Sequence, residues 1–277
     1  MFLNGFLLAS IFYFHTESSY ENALFQSIKR DIDSRLTDKD TQDSIVVKAM
    51  RTCNFMMVNR APIFIANNFT GFKADVIRPA SVDLMTTRGA CGSYAEVLAR
   101  ILQNYNYPIR IAQMKAEGIF ADHNIVEVKI DHGWVALDAT FNAYFIRPDS
   151  KLASFADVQG NWAYYSKQVP PGYDLKYRYE DVRYSNWGKI PIIFPAIKKI
   201  LSLFIGQEGA NTFCMRALFL RVYEIYFYAF LFLYIPLFFL TIRKFITTKS
   251  IADNKAPFSF RSLLKYSKPP MSEMQSS

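Results

Sequence analysis

The sequence is poor in the residue types that build covalent or metal frameworks. Its 277 residues hold three cysteines, at 53, 91 and 214, and three histidines, at 15, 123 and 132. Three cysteines exclude the disulfide framework that staples small secreted domains. No C-x-x-C or H-x-x-x-H pair is present, so neither a zinc site nor any other cofactor is implied. Charged residues make up only 20%, against 51% hydrophobic and 16% aromatic, which excludes a chain disordered throughout. A mean hydropathy of +0.03 argues against a polytopic membrane protein. No internal repeat and no low-complexity run is found.

The net charge of +8 is unevenly spread. From Arg243 onward there are seven basic and two acidic residues, which leaves only +3 on the first 242. A basic tail directly after an apolar run reads as a juxtamembrane segment drawn to anionic headgroups. The folded part shows no basic face of the kind that nucleic acid requires, so no nucleic-acid partner is expected.

The apolar run is Ile225 to Ile242 (IYFYAFLFLYIPLFFLTI), 18 residues without a charge. Extension to Val222 gives 21 residues and includes one Glu224. About 20 such residues cross the hydrocarbon core of a bilayer. Pro236 is tolerated in a membrane helix, and Tyr223, Tyr226 and Tyr228 suit the interface. Length, continuity and the cationic stop favour a spanning helix over a buried core helix. Met1 to Phe14 is uncharged but short, and lacks the basic start and cleavage pattern of a secretory signal. It reads as a signal anchor or as part of the core. Ile190 to Ile205 carries Lys198 and Lys199 mid-run, which suits a helix lying on a membrane surface. The tail favours a cytoplasmic C-terminus. A single crossing would then leave the body outside, and export would need a signal that Met1 to Phe14 only half supplies.

Between these segments the pattern predicts helices first and a meander afterwards, an α+β fold. Ile45 to Met50 and Phe55 to Val58 have helical spacing, and Ala61 to Thr87 reads as loop-rich around Pro62, Gly71 and Pro79. From Cys91, residues Tyr94, Ala95, Leu98, Ile101 and Leu102 share one helical face, with a stop before Pro108. Ile109 to Met114, Asn124 to Ile130 and Trp134 to Leu137 read as strands, with a turn at Asp131-His132-Gly133. Pro170-Pro171-Gly172 opens an irregular connector toward the membrane. Its Tyr173, Tyr177, Tyr179 and Tyr184 receive no functional assignment.

The chemistry is concentrated in Arg88-Gly89-Ala90-Cys91-Gly92-Ser93-Tyr94-Ala95-Glu96. A cysteine where a glycine-flanked loop enters a helix meets unpaired amides and the positive end of the helix dipole, both of which favour thiolate. Gly92 lets a substrate approach the sulfur closely. A thiol nucleophile needs a base, and the base an orienting acid. His123 begins one strand of the hairpin and Asp138 ends its partner. A turn at His132-Gly133 sets Asp138 opposite Glu127, and one at Asp131-His132 sets it opposite Ile125. His123 then lies two to four positions further along, an offset that a bulge or twist must close.

Gly-x-Cys-Gly opening a helix, His-x-x-Val-Glu-Val, and Trp-x-x-Leu-Asp together resemble the transglutaminase-like cysteine enzymes. These include transglutaminases, peptide N-glycanases, arylamine N-acetyltransferases and bacterial proteases. Spacings of 32 from Cys to His and 15 from His to Asp fit that superfamily. The resemblance covers roughly residues 45–145. It implies Cys91 as nucleophile, His123 as base and Asp138 as orienting acid, with Trp134 matching an aromatic often found before the acid. It further implies acyl transfer or amide hydrolysis through a thioester, on a protein or peptide substrate. The papain signature is also approached by Cys91-Gly92-Ser93-Tyr94, but Tyr94 stands where that family has its nucleophilic second Cys.

The expected organisation is an apolar segment over residues 1–15 and a transglutaminase-like domain over 16–189. An amphipathic membrane-proximal segment follows over 190–221, then a transmembrane helix over 222–242 and a disordered basic tail over 243–277. The whole reads as a single-pass, membrane-anchored member of bacterial type. The alternative is an inactive module of the same fold that binds a peptide or glycan at the membrane. Cys53 and Cys214 read as small core residues, His132 as exposed, and Arg88 and Glu96 as solvated or structural.

Overall fold

Apolar and amphipathic stretches at both ends of the chain build long helices, and the alternating stretches between them build one sheet. The structure is a computed structural model that describes residues 2–65, 70–87, 89–116 and 119–252. In chain order the helices are α1 (Phe2–Asp33), α2 (Gln42–Phe64), α3 (Ala80–Asp83), α4 (Cys91–Gln103), α5 (Phe155–Gly160), α6 (Trp162–Tyr165), α7 (Ile193–Thr212), α8 (Met215–Phe219) and α9 (Val222–Ala252). The strands are β1 (Ile109–Ala116), β2 (Ile119–Ile130), β3 (Gly133–Asp138), β4 (Ala143–Tyr144) and β5 (Arg178–Arg183). The chain divides into two units, residues 16–225 and residues 1–15 with 226–277.

The larger unit is built on a five-stranded antiparallel sheet in the order β4-β3-β2-β1-β5. Ile130 pairs with Gly133 and Val126 with Leu137, so the hairpin turns at Asp131-His132. This is the register that sets Asp138 level with Ile125. α4 packs on β1 and β2, and α2 packs on α4 and β3. The helix pattern explains the arrangement. Val46, Ala49, Met50, Cys53 and Met57 form the buried face of α2, and Ala95, Leu98, Ile101 and Leu102 that of α4. They meet Ile111, Val126, Val128, Val135 and Leu137 of the sheet in one core. Thr41 caps α2 by accepting from the Ser44 N–H at 3.4 Å.

Residues 16–33 are helical, continuing α1, in keeping with helices first, and Phe25, Ile28 and Ile32 bury one face at helical spacing. Other expectations need correction. Residues 61–87 are less irregular than expected. α2 runs through Pro62 to Phe64, because a proline in the last turn removes only one hydrogen bond. A wide helical turn follows over Lys73–Ile77, closed by Arg78 N–H to Lys73 C=O at 2.9 Å, and then α3. The stretch after Pro170 is no connector. β5 completes the sheet, with Gln113 opposite Arg183 and Met114 opposite Val182. Residues 243–252 belong to α9 rather than to a disordered tail, and the rest of that tail lies outside the described residues. Cys53 and Cys214 are buried as expected; Cys214 Sγ accepts from the Ile111 N–H at 3.2 Å.

In the smaller unit, residues 2–15 of α1 lie antiparallel to α9. Leu7, Ile11 and Phe14 are buried, and the Phe14 ring stacks on Tyr226 and Phe230 at 5.0 and 5.3 Å. Asn4 Nδ2 donates to Thr241 Oγ1 at 2.8 Å. The N-terminal segment therefore packs on the apolar helix and not within the core of the larger unit. Val222–Thr247 is the one helix among the described residues that is long and apolar enough to cross a membrane, by length and composition. Phe232, Phe239 and Leu240 are exposed along it.

Candidate functional site

The site begins at the first residue of α4. Cys91 follows Ala90 at the N-terminus of the helix, where first-turn amides lack intrahelical partners. The loop leading to it is held from α2 by Arg60, which is buried. Its guanidinium donates to the Asp83 C=O and, at 3.4 Å, to the Gly89 C=O. Gly89 has φ +85°, and a β-carbon there would collide with Ser93 Oγ. Gly89→Ala is expected to destabilise the protein by about 2–3 kcal/mol, combining backbone strain with the clash. Thermal unfolding of the full chain in detergent checks this. A midpoint within a degree of the parent would mean that the loop relaxes freely. Arg88 lies outside the described residues.

β2 and β3 bring the other two groups. His123 Nε2 lies 2.6 Å from Asp138 Oδ2, which leaves Nδ1 for the Cys91 thiol that hydrogen-bonds the same ring. The register leaves His123 two positions beyond the residue facing Asp138. A diagonal of this kind spans about 7–8 Å between backbones, within reach of two side chains. The β1–β2 register also shifts beside His123, between Met114 and Lys115. Asp138 additionally caps the following turn, its Oδ1 accepting from the N–H groups of Thr140 at 3.0 Å and Phe141 at 3.2 Å. One carboxylate thus fixes both a turn and an imidazole.

His123 and Asp138 are 1% exposed and Cys91 9%, so Cys91 is the least covered of three buried residues. Burial alone would push the His123 imidazole down. Hydrogen bonds to Asp138 and Cys91 outweigh it and raise the group to about 9. Burial would likewise push the Cys91 thiol up, but the hydrogen bonds from His123 and Asn124 bring it below its ordinary value. Both shifts favour a thiolate–imidazolium pair.

Several residues join the site without a sequence signal. Asn124 Nδ2 donates to Cys91 Sγ at 3.2 Å, and Arg216 Nη1 donates to Asn124 Oδ1 at 2.7 Å. The Tyr177 ring lies flat on the imidazole, 4.3 Å between centroids and 14° from parallel. Phe141 meets the same imidazole edge-on. The Tyr173 hydroxyl is 2.6 Å from that of Tyr179, and the Tyr173 ring lies against Phe141 and Tyr177. Of the four tyrosines in the supposed connector, Tyr177 thus covers the His123 imidazole with Tyr173 beside it, whereas Tyr184 packs on Arg110.

Other candidates fall elsewhere. Trp134 sits at the opposite end of β3 from Asp138, about 13 Å along the strand. The Arg110 guanidinium carbon lies over its ring at 4.1 Å and over that of Tyr184 at 4.3 Å. Trp134 belongs to a cluster around Glu127, not to the triad. Gly92 is the second residue of α4, and an added Cβ would reach Asn124 Nδ2 at an ordinary 3.9 Å, so packing alone does not require glycine there. His132 is largely covered, with Nε2 2.9 Å from Asp43 Oδ1. Glu96 is half-buried, and burial followed by Asp83 pushes its carboxyl up. Among the described residues no group of three or more His, Cys, Asp or Glu is placed to hold a metal ion.

Comparison with known protein families, with curated proteins and with solved structures finds no match for this chain.

Proposed function

We propose that the chain is a membrane-anchored thiol enzyme of transglutaminase-like type, which transfers or hydrolyses an acyl group through a thioester on Cys91. The observation that supports this most directly is the convergence of Cys91, His123 and Asp138, with His123 Nε2 2.6 Å from Asp138 Oδ2, Asn124 Nδ2 3.2 Å from the sulfur, and Cys91 at a helix N-terminus. The Cys91 thiolate attacks the carbonyl carbon of an amide or ester. The tetrahedral oxyanion is met by first-turn amides of α4 and by Asn124 Nδ2. The intermediate collapses to a thioester as imidazolium His123 gives its proton to the leaving amine or alcohol. The now neutral imidazole takes a proton from water or from a second amine, whose attack releases the acyl product and restores the thiolate. Asp138 holds Nε2 and so keeps Nδ1 directed at the sulfur. The acyl donor in this reading is a protein or peptide, and α9 is the anchor, with residues 2–15 lying along it.

Iodoacetamide labelling of the full chain in neutral detergent tests the thiolate. Cys91 is expected to be labelled at pH 7 at least ten times faster than Cys53, whose thiol burial pushes up, with the signal lost in Cys91→Ala. Equal rates at the two cysteines would remove the basis for an activated nucleophile. The stacking of Tyr177 over an imidazole that is 1% exposed favours a second reading, a binding module that keeps the triad as structure. Fast labelling combined with no turnover of any acyl donor, including activated esters, would favour it.

A further inference from the structure

A cavity of about 490 Å³ lies where β1 and β5 meet the segment that leads to α9. Its lining includes Gln113, Arg183, Lys189, Phe194, Arg216 and Phe219, and no Asp or Glu among the described residues. Three cations thus share one concave surface. One edge of each guanidinium is fixed by a neutral amide. Arg183 Nε donates to Gln113 Oε1 at 2.9 Å, and Arg216 Nη1 to Asn124 Oδ1 at 2.7 Å. The Gln113 and Asn124 amides orient the two guanidinium planes. Burial first, and then the charge of Arg216, push the Arg183 guanidinium down. Glu96 faces Arg216 from α4, but burial and Asp83 push its carboxyl up against the pull of Arg216. The cavity is built to receive an anion, and oriented guanidinium forks match phosphate oxygens.

The apolar side of the cavity narrows the source. Phe194 and Phe219 line it, and they belong to a segment with an unusual surface. Ile192 is 85% exposed and Phe204 82%, and Ile193, Ile200, Leu203 and Leu218 are exposed around them. Lys198 and Lys199 lie on the same helix, α7. An apolar face edged by lysines suits the boundary between headgroups and acyl chains. A soluble anion needs the cations but not that rim, whereas a lipid uses both.

The geometry points to this cavity as a binding site for the phosphate-bearing headgroup of an anionic phospholipid, with Arg183, Lys189 and Arg216 holding the charge and Phe194 and Phe219 meeting the start of the acyl chains. The site is two hydrogen bonds from the sulfur, through Arg216 and Asn124. It does not depend on the thiol reading, because it rests on other residues.

The test is calorimetric titration of the full chain in neutral detergent with three probes: dihexanoyl-phosphatidylglycerol, dihexanoyl-phosphatidylcholine and inorganic phosphate. Saturable binding of the phosphatidylglycerol is expected, roughly tenfold or more tighter than either other probe. Arg183→Gln combined with Lys189→Gln is expected to weaken it by roughly tenfold or more, whereas Lys198→Gln with Lys199→Gln leaves it unchanged. Inorganic phosphate binding as tightly as the lipid would overturn the lipid assignment. Equal losses from the two double variants would reduce the effect to general surface attraction and overturn the site. The readout is heat of binding, so a Cys91→Ala chain serves equally well, and failure here leaves the thiolate result untouched.

Discussion

His123→Ala is expected to slow alkylation of Cys91 at pH 7 by on the order of a hundredfold, the loss of thiolate when a buried thiol returns above its ordinary range. The direction follows from the balance at the sulfur, where burial alone favours the neutral thiol and His123 is the first group to oppose it. In the parent protein the labelling rate should already be high at neutral pH and depend less steeply on pH than in the variant. In the variant it should climb steadily with pH. Acyl turnover should behave differently from labelling, because it needs the imidazolium proton. With His123 raised to about 9, turnover should fall as the pH passes that value while labelling does not. The same shift has a stability consequence. The folded value lies above the ordinary 6.5, so the contribution is complete below that pH and is lost as the pH rises through 9. A His123→Ala chain labelled as fast as the parent would show that the helix terminus alone activates the sulfur.

The largest expected effect on stability comes from Arg110. Arg110 Nε donates to Glu127 Oε2 at 2.6 Å, Tyr184 donates its hydroxyl to the same oxygen, and Glu127 is 1% exposed. The guanidinium carbon also lies over the Trp134 and Tyr184 rings. Arg110→Ala leaves a buried carboxylate without its cation, at a cost of about 3–5 kcal/mol. The thermal midpoint should drop by roughly 10 °C. Adding Glu127→Gln should recover part of the loss, since the uncompensated charge is then gone. No recovery would locate the cost in lost packing of Trp134 and Tyr184 instead.

The sequence pattern made Cys91 and Asp138 legible because each occupies an element boundary, where helix-start and turn chemistry mark the position, whereas His123 lies inside β2 and was marked only by its partners on either side. The hairpin register was legible to within two alternatives, of which the turn at Asp131-His132 is the one formed. Asn124 was not legible. Strand alternation places consecutive residues on opposite faces, so no pattern pairs Asn124 with His123, yet Asn124 Nδ2 donates to Cys91 Sγ. Arg216 and Tyr177 were hidden by distance along the chain, since no local pattern links them to residues 91–138. Trp134 was read as a neighbour of Asp138 from the motif alone, yet strand geometry carries it to the far end of β3. The first half of α1 was ambiguous because apolar residues suit a core and a membrane equally, and its partner in α9 lies over 200 residues away.

The order of assembly carries one more consequence. Cys91, His123 and Asp138 are all synthesised before Tyr177 closes over the imidazole and before Arg216 steadies Asn124. During biosynthesis the nascent chain holds the Cys91 sulfur and the His123 ring without this cover until β5 and the segment that follows it have been made.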